Sequence, residues 1–335
     1  SINEDEILKE IIKDYYEDQK RYEELFKFGS EEYIIQLFNS SFGSKINFYE
    51  ELPGLYKSLI FTYFATNLKD VKMVSRYSKY LLAEKATNVS VFINNLMRDK
   101  ITQNCFEKLS KEVEKEFGIE ELIKSMDIEE YIYTDAFECI DKYIIRYLVD
   151  KLVEEIGEYD FYKTYIELRS NKYWFEKFNN EYNFLKETIL FFKKMNLIKD
   201  SIKVEDIDKF ARNYVDNFSE IDTLYRKVYY YFDNIENRDI FINLKNKIEN
   251  IYVNNVISTL SIKWSEMLEE IGKYDSNCMV LQKDFYKKYI KPFNDKKDRI
   301  IVIISDAFRY ECAKELNEKL KQFASKSDIT YMQGL

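Results

Sequence analysis

The chain has 335 residues, a formal net charge of −9, and a composition that is 46% hydrophobic and 33% charged. That balance excludes disorder over the whole chain, and a chain of this length buries enough surface to fold without disulfides. The acidic excess argues against non-specific binding of nucleic acid, which draws its affinity from counterions released by Lys and Arg, and no apolar run approaches the ~20 residues that cross a bilayer.

Gly 7 and Pro 2 are few for this length, and helices are the elements that tolerate few of either. The fold class is therefore read as mainly α. The 29 Tyr and 25 Phe are read as core-edge packing rather than a base-stacking surface. Cys105, Cys139, Cys278 and Cys312 stand far apart with no CxxC pair, which predicts reduced thiols in a cytoplasmic protein. The opening SINEDEILKE carries neither Met nor a signal-peptide pattern, so an internal segment of a longer protein is expected.

In chain order, Ile7, Ile11, Tyr15, Tyr22 and Leu25 predict one helix over Glu4–Phe28, stopped at Gly29. A short helix follows over Glu31–Phe38. Gly43 and the Pro53–Gly54 pair make Ser40–Pro53 a loop. Helices are predicted over Leu55–Leu68, Val71–Lys85 and Val89–Phe117, the last ended by Gly118.

The stripe Phe137, Ile140, Ile144, Leu148, Leu152 and Ile156 predicts a helix over Thr134–Ile156 with Gly157 as its cap. Glu181–Met195 and Val204–Phe218 follow. The longest stripe runs from Phe241 through Ile248, Val256 and Trp264 to Ile271, and predicts a helix over Arg238–Ile271. At 1.5 Å per residue it extends roughly 50 Å and is expected to be the spine of the body.

After Pro292 the pattern changes. The β-branched run Ile300–Ile304 reads as a buried parallel strand. Tyr310, Ala313, Leu316, Leu320 and Phe323 make the next segment, Ala307–Phe323, an amphipathic helix, and Asp328–Met332 reads as a second strand. The expected architecture is an all-helical body over residues 1–290, divisible near 126, followed over 296–335 by the first strand-helix-strand of a truncated α/β domain.

Ligands of open α/β sheets gather at the carboxyl ends of the strands, where Asp306 stands. A carboxylate there can hold a divalent cation. It can equally cap the helix that follows, as can Ser305, and on spacing alone the cap outweighs the metal. Arg309 and Glu311 read as an ion pair before they read as supports of a metal site. Strand alternation turns Ser305 away from Asp306, so Ser305 is not the expected nucleophile. A nucleotide site is disfavoured, because neither GxGxxG nor GxxxxGK[ST] occurs.

The segments QKDFYKKYIKPF, DRIIVIISDAFRYECAKELNEKL and SDITYMQGL resemble the PglZ family, the phosphatase-like proteins of BREX and Pgl bacteriophage-defence systems. Its entry motif reads approximately as an apolar run, then Ser-Asp-Ala-Leu-Arg-Tyr-Glu. This chain has Ser305 to Glu311, with Phe308 in place of Leu and Cys312 where Val is common. The likeness covers Leu281 to Leu335.

The resemblance implies an alkaline-phosphatase-like domain in which Asp306 coordinates a divalent metal, zinc or similar, with Arg309 and Glu311 near it. It also implies a Thr nucleophile in a loop beyond Leu335, further Asp and His ligands later still, and other BREX proteins as partners. The chain has no His, so it is expected to be inactive by itself. The alternative reading is a helical interaction scaffold of a defence complex, with no catalytic activity.

Overall fold

The computed structural model describes residues 3–154, 157–198, 206–275 and 279–323. Among them the fold is helical, and it divides into two compact units between Tyr182 and Asn183.

In the first unit the expected Glu4–Phe28 helix is two: α1 (Glu4–Glu17) and α2 (Gln19–Phe28). Asp18 breaks it. Its backbone leaves helical geometry, and its carboxylate accepts the Arg21 amide at 3.1 Å, which starts α2 afresh. Gly29 ends α2 as expected.

α3 (Glu31–Phe42) runs four residues beyond the expected end, to Gly43, whose φ of 70° supplies the left-handed turn that favours glycine. Pro53 and Gly54 are not a turn. They form the first turn of α4 (Leu52–Thr66), where proline lacks only an N–H that has no helical partner anyway. α4 is buried nearly all round, from Leu55 and Tyr56 to Phe64 and Ala65, and is the centre of this unit.

Val71–Lys85 is a chain of 3₁₀ turns kinked at Val74 rather than an α-helix. The helix predicted over Val89–Phe117 is broken between α5 (Ala86–Arg98) and α6 (Gln103–Glu116), where the Asp99 carboxylate accepts the Ile101 amide at 3.0 Å. Short α7 (Ile119–Lys124) and α8 (Ile128–Tyr131) lead to α9 (Glu138–Val153), α10 (Tyr159–Arg169) and α11 (Asn179–Ile198). Position 126 lies between α7 and α8, and the division of the chain falls inside α11.

A polar network ties the end of the first unit together. Arg169 is fully buried and meets Asp141 through two bonds, Nε–Oδ1 at 3.0 Å and Nη2–Oδ2 at 2.6 Å. Its Nη1 donates to the carbonyls of Ile132 and Thr134 at 2.8 and 2.6 Å. Burial works against the Arg169 charge, but Asp141, together with Tyr182 and Asp135, more than offsets it and holds its pKa above the ordinary arginine value. Asp135 beside it accepts the Tyr63 hydroxyl at 2.6 Å and the Tyr173 amide at 3.0 Å.

In the second unit α12 (Ile207–Asn213) passes through a wide π turn, Tyr214–Phe218, into α13 (Ser219–Asp233). Residues 204 and 205 of the expected Val204–Phe218 helix lie outside the described residues. The long helix is present as α14 (Ile242–Ile251), a π segment Tyr252–Ser258 and α15 (Thr259–Ile271). Only its first part is a spine. Leu244, Ile248, Tyr252 and Val256 are buried, whereas α15 buries no residue fully. α16 (Lys291–Asp295) and α17 (Tyr310–Phe323) complete the described helices.

The strand expected over Ile300–Ile304 is not formed. No strand occurs among the described residues, and Ile303 and Ile304 are 88% and 89% exposed. A strand is held by ladder bonds to a neighbour, and none of the described residues offers one. The second expected strand, Asp328–Met332, lies outside the described residues. Cys105, Cys139 and Cys312 are free thiols, and among the described residues no helix is long and apolar enough to cross a membrane.

Candidate functional site

Asp306 leaves the apolar run at an exposed turn. Its Oδ1 accepts the Ala307 amide at 2.9 Å, and Ala307 adopts a φ of 53°, rare for a residue with a Cβ. The turn interrupts the expected Ala307–Phe323 helix, so α17 starts only at Tyr310. A cap serves the amides two or three residues ahead; Asp306 serves its immediate neighbour and so does not cap α17. Ser305 is also exposed, and without a strand the alternation that set it apart from Asp306 has no basis.

Arg309 and Glu311 do pair, at 3.8 Å, but unequally: the arginine side chain is 66% exposed and the glutamate 1%. That distance exceeds hydrogen-bond reach. Glu311 is buried while Asp306 faces solvent, and the described residues contain no group of three or more Cys, Asp or Glu placed to hold an ion. Asp306 fits a divalent cation as one oxygen donor and no more, where a zinc site takes three or four from the protein.

The structure also turns α17 round. Its periodicity marked Tyr310, Ala313, Leu316, Leu320 and Phe323 as the buried face. Tyr310 does pack against the buried Ala211, Val215 and Met279, and Ala313 is half-buried, but the fully buried residues are Glu311 and Asn317, while Leu316 and Leu320 are each 44% exposed and Phe323 is 85% exposed. The polar side meets α13. Arg226 Nη2 lies 2.5 Å from Glu315 Oε2, and Lys227 Nζ lies 3.7 Å from Oε1 of the same carboxylate.

Lys314 donates to the Val215 carbonyl at 3.4 Å, and the Tyr310 ring lies 6.0 Å from that of Tyr214. Behind this contact Asp222 accepts two hydroxyls, Tyr214 at 2.7 Å and Tyr252 at 2.8 Å. Burial pushes both phenols up, and Asp222 pushes them further, so they stay protonated donors. A cleft of about 400 Å³ opens beside Tyr310, lined by Phe210, Tyr214, Leu260 and Trp264. Apolar periodicity found Tyr310 but not the polar part of the docked face. The Glu311–Glu315 spacing, i and i+4 on one helix side, was the signal for it.

Residues 285–335 match the family described as the BREX system PglZ alkaline phosphatase-like domain. The chain is 33% identical over 343 aligned residues to an alkaline phosphatase-like protein PglZ of Bacillus cereus (strain H3081.97), an alignment that covers 100% of this chain and 39% of the relative. It is 29% identical over 203 residues to an alkaline phosphatase-like protein BrxZ of Escherichia coli O9:H4 (strain HS), covering 56% of this chain and 24% of that protein. The chain thus spans well under half the length of either relative. No solved structure matches it with significance. With the Ser305–Glu311 motif inside the matched segment, and a relative aligned along the whole chain, this chain belongs to the PglZ family.

Proposed function

We propose that the chain supplies a helical body and the metal-binding corner of a metal-dependent phosphatase or phosphodiesterase in a BREX defence system of the cytoplasm, with the other proteins of that system as partners. The observation that carries this reading is the pair of uncovered apolar faces. Ile301, Ile303 and Ile304 are exposed, as are Leu316, Leu320 and Phe323, while α17 is anchored by its polar side. Contiguous apolar surface of this kind marks a face that another element covers.

In this reading further strands of an α/β domain cover both faces, Ile300–Ile304 becomes a parallel strand, and Asp306 stands at its carboxyl end. Asp306 contributes one oxygen ligand to a divalent ion, zinc or similar. The Thr nucleophile and the other Asp and His ligands come from residues this chain does not contain. The ion, when bound, would stabilise developing negative charge on the phosphoryl group.

The test uses a protein in which the phosphatase-like domain is complete, supplied with Zn²⁺ or Mn²⁺ and bis-p-nitrophenyl phosphate. Asp306→Asn is expected to lower kcat/KM at least 100-fold. Turnover equal to the parent's overturns the assignment.

A second reading, an interaction scaffold, has its own observation. α1, α2 and α3 enclose a surface groove of about 770 Å³ in which Ile7, Leu25, Phe28 and Tyr33 lie beside Glu6, Glu10 and Glu24. Phe28 is 77% exposed there. Arg21 pairs with Glu10 and Asp14 on the rim, which leaves Glu6 and Glu24 as its acidic excess, and an apolar groove with such a rim suits a basic amphipathic helix of a partner. Pull-down of BREX proteins by the parent, compared with Phe28→Asp, separates the two readings: capture lost with hydrolysis intact places the docking surface in the groove.

A further inference from the structure

α13 carries Asp222 and Arg226 one turn apart, and each secures one part of α17. Asp222 fixes the hydroxyl of Tyr214, whose ring packs on Tyr310 at the start of the motif helix. Arg226 fixes Glu315, one turn further along. Burial works against the Arg226 charge, and Glu315, with Cys312 and Glu311 adding to the same field, more than restores it. The Arg226 Nε is buried with no acceptor among the described residues, and the bond its guanidinium makes is to α17.

Lys227 and Lys314 reinforce the contact from either side. Only three residues, Ala307 to Arg309, separate Asp306 from the first residue of this helix. Whatever fixes α17 therefore fixes the direction in which the carboxylate is presented.

We propose that Arg226 is a positioning residue: it fastens the motif helix to the helical body, and through that helix it sets where Asp306 stands. The inference rests on the reading of Asp306 given above. It assigns the helical body a task beyond docking, because a residue 80 positions before Asp306, on α13, then tunes the affinity of a site it does not touch. Partners that orient a ligand typically change metal affinity by about 10–100-fold when removed.

The experiment compares Arg226→Ala, Arg226→Lys, Glu315→Gln and the Arg226→Ala/Glu315→Gln double variant in a protein with a complete phosphatase-like domain. It reads the Kd for Mn²⁺ by calorimetry and amide hydrogen exchange over residues 309–317. Arg226→Ala is expected to raise the Kd about tenfold and to quicken exchange in α17. Arg226→Lys should recover part of both changes, and the double variant should be no worse than either single.

Unchanged exchange in Arg226→Ala, or additive effects in the double variant, overturns the clamp. Should the parent bind no Mn²⁺, the metal reading fails instead. The exchange data then still decide whether Arg226 holds the helix.

Discussion

Arg169 and Asp141 lie 28 positions apart and face each other through two hydrogen bonds with neither side chain exposed to solvent. Tyr182 adds its hydroxyl to Asp141 Oδ1 at 2.5 Å, so three elements, α9, α10 and α11, converge on one buried carboxylate. Buried pairs add little against an apolar replacement, yet removing one partner strands the other charge. Asp141→Ala is therefore expected to destabilise the chain by about 3–5 kcal/mol, read as a drop in the urea midpoint at pH 7. A loss under 1 kcal/mol would mean that Arg169 finds water or another acceptor.

α4 is buried nearly all round, and Leu59 within it has no exposed surface. Leu59→Ala is expected to cost about 2–5 kcal/mol through lost burial and the cavity left behind. Thermal melting of the variant beside wild type gives the figure.

Ile303 separates the strand reading from the exposed run. In the chain alone, where its side chain is solvated, Ile303→Asp is expected to change stability by no more than about 0.5 kcal/mol. In a protein with a complete phosphatase-like domain the same substitution would bury an unpaired charge, and a loss of about 3 kcal/mol or more is expected. Equal small effects in both would remove the strand.

Three thiols differ in access. Burial pushes Cys105 up to about 12 and raises Cys139 as well; it also raises Cys312, with Glu311 adding to it, but Cys312 is only half-buried. The thiolate is the reactive form, so iodoacetamide at pH 8 is expected to label Cys312 well before Cys105 and Cys139, as mass spectrometry of the peptides would show. Labelling of Cys105 at the same rate would mean that α6 opens locally.

Acid stability should depend on Glu138. Burial raises its carboxyl pKa, but hydrogen bonds from Lys142 and Lys177 at 2.8 and 2.6 Å pull it down further, to below the ordinary glutamate value. A lowered folded pKa stabilises the fold above the unfolded value of about 4.3, and the gain is lost as pH falls through the folded value. Glu138→Gln is expected to flatten the fall in urea midpoint between pH 5 and pH 3. A parallel curve would place that acid sensitivity elsewhere, with Glu112 beside Lys57 as the next carboxylate held low.

Helical character, the stop at Gly29 and the Ser305–Glu311 motif were all legible in the sequence, because each depends on spacing or on one residue's backbone preference. The helix break at Asp18 was legible in principle, since Asp is a strong start residue, but the apolar stripe on either side continued and hid it, as it hid the break that follows Arg98. Position 306 was legible as a carboxylate after an apolar run, though not as geometry.

Tertiary structure alone decided three things. It left the Ile300–Ile304 run unpaired, since a strand exists only through a neighbour. It docked α17 by Tyr310 and Glu315 and left Leu316, Leu320 and Phe323 outside, since periodicity marks which residues share a face but not how much of that face meets the body. And it brought Asp141, Arg169 and Tyr182 to one point, since no local rule records which distant charges will share a dry interior.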